Sequence, residues 1–269
     1  MFEIDQKARR LTQEEKEQYI DEGYVTGLPV FSGNAVGDLH NWYDELSSKL
    51  PSNIDINKTN MWHKASKKFH DLCRTSAILD YVEDLLGPNF VQWGGQFFNK
   101  EPKDGSVVPW HQDAQYWPLN PSNAVTVWLA VFDTDEENGA MKVVSGSHKM
   151  GRFVHKKNTA KNLVLDQEVS FDQLDEKKIV SLNLKAGQIS LHNDALLHGS
   201  EANNSDRRRC GVTMRFSPTN VKGDLKIWPF FDHFSSCFAT TAAIDTEGCF
   251  ASVFSISIDD IFSPPEIII

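Results

Sequence analysis

The feature that most constrains the fold is a series of short apolar runs that begins after residue 89. The runs are rich in valine, phenylalanine and tryptophan, and turn-forming Asn, Gly, Asp and Pro residues separate them. Many short strands with few helices between them predict a β-sandwich or a barrel. The predicted strands lie in "FVQWGGQFFNK" (90–100), "AVTVWLAVFD" (124–133), "AMKVV" (140–144), "KIVSLNL" (178–184) and "GVTMRF" (211–216).

The segment before these runs, about residues 10–88, has a helical pattern. Thr12 followed by Glu15 fits the capping box at the start of a helix, and Gly23 is placed to end that helix. Two further helices, predicted from apolar residues at three- and four-residue spacing, cover 34–49 and 67–86. We expect these helices to flank a sheet rather than to form a bundle.

Composition limits the possible partners and the compartment. The 269 residues, 40% of them hydrophobic, are enough for a sizeable core, and the net charge of −10 disfavours nucleic acid and anionic membranes as partners. Four irregularly spaced cysteines indicate neither a disulfide framework nor a CxxC zinc site. The N-terminus does not resemble a secretory signal, and no apolar run reaches the roughly 20 residues of a membrane span. We therefore expect a cytoplasmic protein.

A histidine and a carboxylate stand two positions apart in "VVPWHQDAQY" (107–116). If this run is an extended strand, His111 and Asp113 point to one face and into one space. This motif alone is common by chance. The alternative interpretation is that His111 and Asp113 lie on a solvent-exposed strand face and bind no metal. A distant residue, His198 in "LLHGS", would complete a two-histidine, one-carboxylate group, which leaves positions open on Fe(II).

A second pair with the same spacing, His192 and Asp194, competes for the role of chelating pair. With that pair all ligands would crowd one hairpin, because His198 stands only four residues after Asp194. We therefore favour His111, Asp113 and His198 as the group, and we expect His192 to be a core residue or a neighbour of the ligands.

Several arginines follow the last of these histidines. Arg209 stands eleven residues after His198, and a guanidinium there could bind the distal carboxylate of a dicarboxylic cosubstrate through two hydrogen bonds. Spacing alone leaves Arg207 and Arg208 as alternatives, and Arg215 is a weaker candidate of the same kind. For each arginine the other interpretation is an ordinary surface charge.

Three ordered motifs, "WHQDAQYW", "VTVWLAVFDTDEENGAMKVVSGSHK" and "LHGSEANNSDRRR", resemble the phytanoyl-CoA dioxygenase family of Fe(II)- and 2-oxoglutarate-dependent oxygenases. The resemblance covers roughly residues 10–220 and includes the opening "LTQEEKEQYIDEGYV". It implies a double-stranded β-helix, or jelly roll, of the cupin-like kind, with the metal at its mouth. The implied cofactors are Fe(II), the cosubstrate 2-oxoglutarate, and dioxygen.

The resemblance also assigns roles to individual residues. It implies that iron is bound by the group of His111, Asp113 and His198, that Arg209 pairs with the far carboxylate of 2-oxoglutarate, and that Ser200 supports this contact. Gln96 and Trp128 fall where the family lines the cosubstrate pocket. Tyr116 and Trp117, past the ligands on the same predicted strand, are candidates for the substrate pocket wall, with ordinary aromatic core as an equal alternative.

The family pattern predicts hydroxylation of a small molecule, with release of succinate and carbon dioxide. Related halogenases have Ala or Gly in place of the carboxylate, whereas this sequence retains Asp113, which favours hydroxylation. No separate signature for coenzyme A is present, so phytanoyl-CoA itself is not inferred as the substrate. The alternative is a metal-binding, cupin-like protein without 2-oxoglutarate turnover.

The predicted organisation is a single oxygenase domain over residues 1–269. Its helical N-terminal part covers about 10–88 and its jelly-roll core about 89–220. A polar, lysine-rich insertion at about 148–178 is expected on the rim of the barrel. The sequence assigns no role to the C-terminal segment 221–269 and carries no signal for an oligomeric state.

Overall fold

The computed structural model describes residues 2–117 and 119–223. The α-helices in this part of the chain are α1 (Gln13–Glu22), α2 (Asn34–Lys49), α3 (Trp62–Ala65), α4 (Lys67–Cys73) and α5 (Ser76–Leu86). The strands are β1 (Tyr24–Pro29), β2 (Phe90–Lys100), β3 (Val108–His111), β4 (Leu119–Asn120), β5 (Val125–Ala130), β6 (Met141–Val144), β7 (His155–Lys157), β8 (Gln167–Val169), β9 (Ile179–Leu182), β10 (Gln188–Asn193), β11 (His198–Ser200), β12 (Arg209–Pro218) and β13 (Lys222–Gly223).

Two antiparallel sheets form the body of the protein. The larger sheet has the strand order β1–β10–β5–β12–β2, and the smaller sheet has the order β3–β11–β6–β9. Residues of both sheets line one pocket between them. The predicted fold class, mainly β with flanking helices in a double-stranded β-helix, is confirmed.

The two faces of the larger sheet have different surroundings. On β5, the side chains of Val125, Val127 and Leu129 are fully buried in a hydrophobic core that includes residues of α2 and α5. Thr126 and Trp128 alternate with them and line the pocket on the opposite face. Because successive side chains of a strand point to opposite faces, the helices cover one face and leave the other for the site.

Most of the predicted helices form as expected. Thr12 and Glu15 make the reciprocal capping box, and Gly23 ends α1 with a φ of 88°, the left-handed conformation that glycine adopts readily. The helix predicted over 34–49 is confirmed. The single helix predicted over 67–86 is wrong, because the chain leaves the helical conformation at Thr75 (ψ 123°) and starts α5 there.

The five quoted strand runs each contain a strand, but the strand predicted over 107–116 is shorter than expected. β3 ends at His111, and a 3-10 helix covers Asp113–Gln115. The strand that pairs with β3, β11, is only three residues long. The chain beyond β3 therefore turns instead of continuing the β-ladder. Tyr116 and Trp117 consequently follow this turn and do not lie on the same strand as His111.

The segment 148–178, predicted as an insertion on the rim, contains β7 and β8, which pair antiparallel. An isolated bridge between Val107 and Leu163 joins this segment to the start of β3. The predicted domain boundaries stay predictions, and the C-terminal segment lies outside the described residues from 224 onward. Among the helices that the structure describes, none has the length and apolarity needed to cross a bilayer.

Candidate metal and cosubstrate site

His111 and His198 lie opposite each other on neighbouring strands. They are register partners in the β3–β11 pair, and their ring centroids are 4.1 Å apart. Nδ1 of His111 lies 2.8 Å from the carbonyl oxygen of Pro109, and Nδ1 of His198 lies 2.9 Å from that of Leu196. A carbonyl can only accept, so each Nδ1 donates its hydrogen and each Nε2 keeps a free lone pair.

Asp113 joins the two histidines from the first position of the 3-10 helix. Its Oδ1 lies 3.7 Å from Nε2 of His111 and 3.9 Å from Nε2 of His198. The hydroxyl of Thr126 donates a hydrogen bond of 3.1 Å to the other carboxylate oxygen. One potential ligand atom from each of the three residues lies within 4.8 Å of the others, and all three residues are buried.

The protonation states of this group suit a metal ligand set. Burial, reinforced by the charge of His111, holds the pKa of His198 well below its usual value. Burial alone would raise the pKa of the Asp113 carboxyl, but contacts with His111 and His192 and the charges of His198 and Arg215 hold it well below its ordinary value. Neutral imidazole and ionised carboxylate are the forms that bind metal.

The competing pair is separated by the structure. His192 is buried on β10 with its Nε2 3.6 Å from Oδ2 of Asp113, and neither ring nitrogen has a hydrogen-bond partner. Asp194 instead accepts a hydrogen bond of 2.7 Å from the hydroxyl of Ser122, and burial raises its pKa. His192 is therefore a neighbour of the group formed by His111, Asp113 and His198, and Asp194 does not join that group.

Arg209 is a buried cation in the same pocket. Its side chain is 2% exposed, its Nη1 donates to the carbonyl of Phe98 over 3.3 Å, and its Nε has no partner. The guanidinium carbon lies 4.9 Å from the ring centroid of Trp128. Burial lowers the pKa of Arg209 to about 10, and no carboxylate within the described ranges forms an ion pair with it.

A second polar group at this end of the pocket also lacks a partner. Ser200 lies two residues after His198 on β11, and its buried hydroxyl makes no hydrogen bond. Lys100, the register partner of Arg209, donates from its ammonium to the backbone carbonyls of Ser200 and Glu201. A buried guanidinium and hydroxyl without partners fit an anionic group bound from outside.

The remaining predicted residues lie around the pocket at different distances. Trp128 lines it, whereas Gln96 is not among the lining residues and holds Arg215 through a contact of 3.3 Å from Nη2 to its Oε1. Tyr116 packs its ring 5.9 Å from that of His111, and its hydroxyl donates to the carbonyl of Gln167. Trp117 lies 5.1 Å from the guanidinium carbon of Arg215.

The other two arginines of "DRRRC" are on the surface. Arg207 pairs with Asp135 at 2.8 Å and Arg208 pairs with Asp44 at 2.5 Å. Both are more than a third exposed, so these pairs contribute little to stability. Spacing left the three arginines equivalent, and burial on β12 distinguishes Arg209 from them.

Sequence reasoning missed three buried residues near the candidate site. Thr126 alternates with valines in "VTVW", so it points away from the core, and that alternation is the signal that could have found it. Gln112, between His111 and Asp113 in the chain, is buried, and its amide donates to the carbonyls of Gly151 and Ala195 and accepts from the N–H of Phe153. Nothing in the local sequence of Lys100 indicates its burial.

The sequence also matches known proteins. The model of the phytanoyl-CoA dioxygenase (PhyH) family matches residues 9–211. The bovine peroxisomal phytanoyl-CoA dioxygenase is 28% identical over 181 residues, which are 65% of this chain and 53% of that enzyme. A probable alpha-ketoglutarate-dependent hypophosphite dioxygenase from Stutzerimonas stutzeri is 26% identical over 215 residues, 73% of this chain and 75% of that protein.

Solved structures agree with this comparison. The apo form of the non-heme monooxygenase ThoJ has a TM-score of 0.66 and 27% identity, and the alignment covers 77% of this chain and 78% of ThoJ. The carbocyclase SnoK of nogalamycin biosynthesis shares the fold, with a TM-score of 0.65, 21% identity, and coverage of 81% and 88%. This chain spans about half the length of the bovine enzyme that it matches.

A jelly roll that brings two histidines and one carboxylate together defines the class of non-haem Fe(II) oxygenases. The chain belongs to the phytanoyl-CoA dioxygenase family, because that family's model matches most of its length. Membership of this family supports the expected enzyme class, an Fe(II)- and 2-oxoglutarate-dependent dioxygenase, and the expected cofactors Fe(II), 2-oxoglutarate and dioxygen.

Proposed function

We propose that this protein hydroxylates a small-molecule substrate in a reaction that consumes 2-oxoglutarate and dioxygen and releases succinate and carbon dioxide. One observation carries the proposal. The group of His111, Asp113 and His198 shares a pocket with Arg209, a buried guanidinium to which the described residues offer no carboxylate. A dicarboxylic acid that chelates a metal through one end needs metal ligands and, for its other carboxylate, a cation in the same pocket.

Fe(II) would be held by Nε2 of His111, Nε2 of His198 and a carboxylate oxygen of Asp113. The backbone acceptors at Nδ1 fix the tautomer of each imidazole, so the two Nε2 atoms are ready to bind without rearrangement. Thr126 holds the second oxygen of Asp113 and so orients the carboxylate. When bound, the metal and 2-oxoglutarate supply the oxidation chemistry, with dioxygen as the oxidant.

The far carboxylate of 2-oxoglutarate would be bound by Arg209 and the free hydroxyl of Ser200. Trp128 lies beside the guanidinium and closes the pocket there. Gly211 makes this possible, because a Cβ at that position would lie 1.9 Å from the Trp128 ring. Gln96 acts one step further out, by holding Arg215 rather than by lining the pocket.

The substrate would enter on the side of Asp113, where Tyr116 and Trp117 follow the ligand-bearing turn. We place these two aromatic residues at the wall of the substrate pocket. A carboxylate at position 113 occupies one coordination position, which favours oxygen transfer over halogenation.

The relatives do not point to a single substrate. By their names, the bovine relative acts on phytanoyl-CoA and the bacterial relative on hypophosphite, and these molecules differ greatly in size. The shared part is the cosubstrate chemistry, which is also the part that the buried Arg209 supports. The alternative, a cupin-like metal protein without 2-oxoglutarate turnover, is not favoured, since it leaves this guanidinium without a function.

Two measurements test the proposal. Anaerobic titration of 2-oxoglutarate into the Fe(II)-loaded chain should produce the visible absorption of a 2-oxo acid chelated to Fe(II), with one equivalent bound. Succinate release is then screened across small molecules, with His198→Ala as the metal-free control. A chain that binds iron but neither binds 2-oxoglutarate nor releases succinate with any substrate would favour the cupin-like alternative.

A further inference from the structure

Arg215 is a second buried cation that lines the same pocket. Its side chain is 5% exposed, and among residues 2–117 and 119–223 no carboxylate forms an ion pair with it. Nη1 donates to Oδ1 of Asn60 over 3.4 Å and Nη2 to Oε1 of Gln96 over 3.3 Å, while Nε has no partner. These two contacts are long and have neutral acceptors, so they compensate the buried charge only weakly.

The position of Arg215 separates it from the cosubstrate end of the pocket. Arg209 and Arg215 are six residues apart on β12, so both point to the same face, with about 20 Å between their Cα atoms. Arg209 has Lys100 as its register partner, at the end that carries the free hydroxyl of Ser200. Arg215 is opposite Thr126, which holds Asp113.

The charges in this region leave Arg215 without a permanent counterion. Asp113 is the anion whose charge acts on Arg215, and in the proposed function this charge is shared with the metal. The two carboxylates of 2-oxoglutarate are assigned to the metal and to Arg209. Leaving a guanidinium buried without an anion is unfavourable, and an oxyanion bound through two hydrogen bonds to the guanidinium would offset this cost.

The surroundings of Arg215 fix its direction. Its guanidinium carbon lies 5.1 Å from the ring centroid of Trp117. On β2 the facing residue is Gly94, where a Cβ would lie 2.9 Å from Cδ of Arg215. The glycine therefore leaves the space that the arginine side chain occupies, and Trp117, Asn60 and Gln96 hold the guanidinium around that space.

We propose that Arg215, held by Asn60 and Gln96, binds an oxyanion of the primary substrate, so that the substrate is a small carboxylate or phosphorus oxyanion. This inference rests on the proposed function, since it assigns the second anion site of the same pocket. The anion would lie beside Trp117, at the Asp113 end. Arg215 thus acts as a residue that determines substrate class, distinct from the cosubstrate residue Arg209.

The test uses the full chain loaded with Co(II), whose paramagnetism speeds the NMR relaxation of molecules bound nearby, with saturating 2-oxoglutarate. The probes are methylphosphonate and acetate, each compared with a neutral counterpart, dimethyl methylphosphonate and acetamide. We expect faster methyl relaxation for the anions only, and the larger of the two effects distinguishes the phosphorus from the carboxylate class. Equal relaxation of anionic and neutral probes would overturn the proposal.

Variants then locate the effect. Arg215→Gln should reduce the anion-dependent relaxation about tenfold, since it removes a charge-assisted contact, and Arg215→Lys should retain part of it. Arg208→Gln, a surface control, should leave it unchanged. Calorimetry of 2-oxoglutarate binding completes the set, because a loss in Arg215→Gln as large as in Arg209→Gln would assign Arg215 to the cosubstrate and contradict the proposal.

Failure of the proposed function gives a different result. If the wild-type chain binds cobalt but no 2-oxoglutarate, the proposed function fails, whereas the probe comparison repeated without 2-oxoglutarate still tests Arg215. Relaxation that is anion-selective and dependent on Arg215 would then support the anion site by itself. If neither Arg215→Gln nor Arg215→Lys changes the relaxation, the proposed anion site at Arg215 is wrong.

Discussion

His111 and His198 are register partners on β3 and β11, with ring centroids 4.1 Å apart and each Nδ1 committed to a carbonyl two residues earlier in the chain. The pairing of two strands that are distant in sequence thus aims both Nε2 atoms into one space. Asp113 enters that space from the turn that follows β3.

Removing one histidine should abolish metal binding. We expect His198→Ala to lose Fe(II) almost completely and all activity with it, because two protein ligands hold iron far more weakly than three. Metal analysis of the purified variant beside wild type provides the measurement, and His111→Ala should behave in the same way. Full iron retention in both variants would show that the ligand assignment is wrong.

Thr126 is predicted to act through Asp113. Thr126→Val removes the hydrogen bond to Oδ2 while keeping the shape of the side chain, and we expect Fe(II) affinity to fall about 10- to 100-fold. Thr126→Ser should restore most of the affinity, which a purely steric role of the residue would not require. Competition with a metal chelator gives the affinities, and an unchanged value for Thr126→Val would contradict the prediction.

Arg209 is predicted to carry most of the cosubstrate affinity. Arg209→Leu should weaken 2-oxoglutarate binding by about 2–5 kcal/mol, since the partner carboxylate loses a desolvated guanidinium. Arg207→Leu and Arg208→Leu are matched controls from the same run, and their exposed pairs should matter little. Calorimetric titration of 2-oxoglutarate into the metal-loaded proteins measures these affinities. The assignment is wrong if a control variant binds 2-oxoglutarate more weakly while Arg209→Leu binds it as wild type does.

Asp113 is predicted to determine the atom that is transferred. With a substrate in hand, mass spectrometry in heavy dioxygen and high chloride should find a product with one labelled oxygen atom. A chlorinated main product would overturn this prediction. We expect Asp113→Gly to lose activity rather than to chlorinate, because it removes a negative charge and the acceptor of the Thr126 hydrogen bond as well as a ligand.

The buried Lys100 should make stability depend on pH. Burial, with the charge of Arg209, lowers the pKa of Lys100 to about 7, whereas an unfolded lysine keeps its proton up to about pH 10.4. Between these values the unfolded chain binds more protons, so stability rises with pH above about 7, by up to about 1.4 kcal/mol per unit. Urea unfolding at about pH 7, 8 and 9 should show this rise flattened in Lys100→Met, and equal slopes would contradict it.

The sequence by itself determined most of the secondary-structure elements and the kinds of side chain available for the site. The capping box at Thr12, the end of α1 at Gly23 and the alternation in "VTVWLA" are local signals, because capping, glycine conformation and strand period depend on residues close in the chain. The sequence also named His111, Asp113 and His198 as a group, and the structure brings these three residues together. The sequence did not predict the break in the helix expected over 67–86, because the break depends on the non-helical conformation of a single residue, Thr75, between α4 and α5.

Tertiary structure alone decided which of several similar residues share a pocket. His192 and Asp194 have the same spacing as His111 and Asp113, yet Asp194 is held by Ser122, away from the group. The strand argument for the first pair was wrong in detail, since Asp113 follows β3 in a 3-10 turn.

The three adjacent arginines are also distinguished only by the tertiary structure. Burial on β12 separates Arg209 from Arg207 and Arg208, and no local pattern records it. Burial, register and the pairing of distant strands arise only when remote segments pack together, and these properties set the charge and the accessibility of each group.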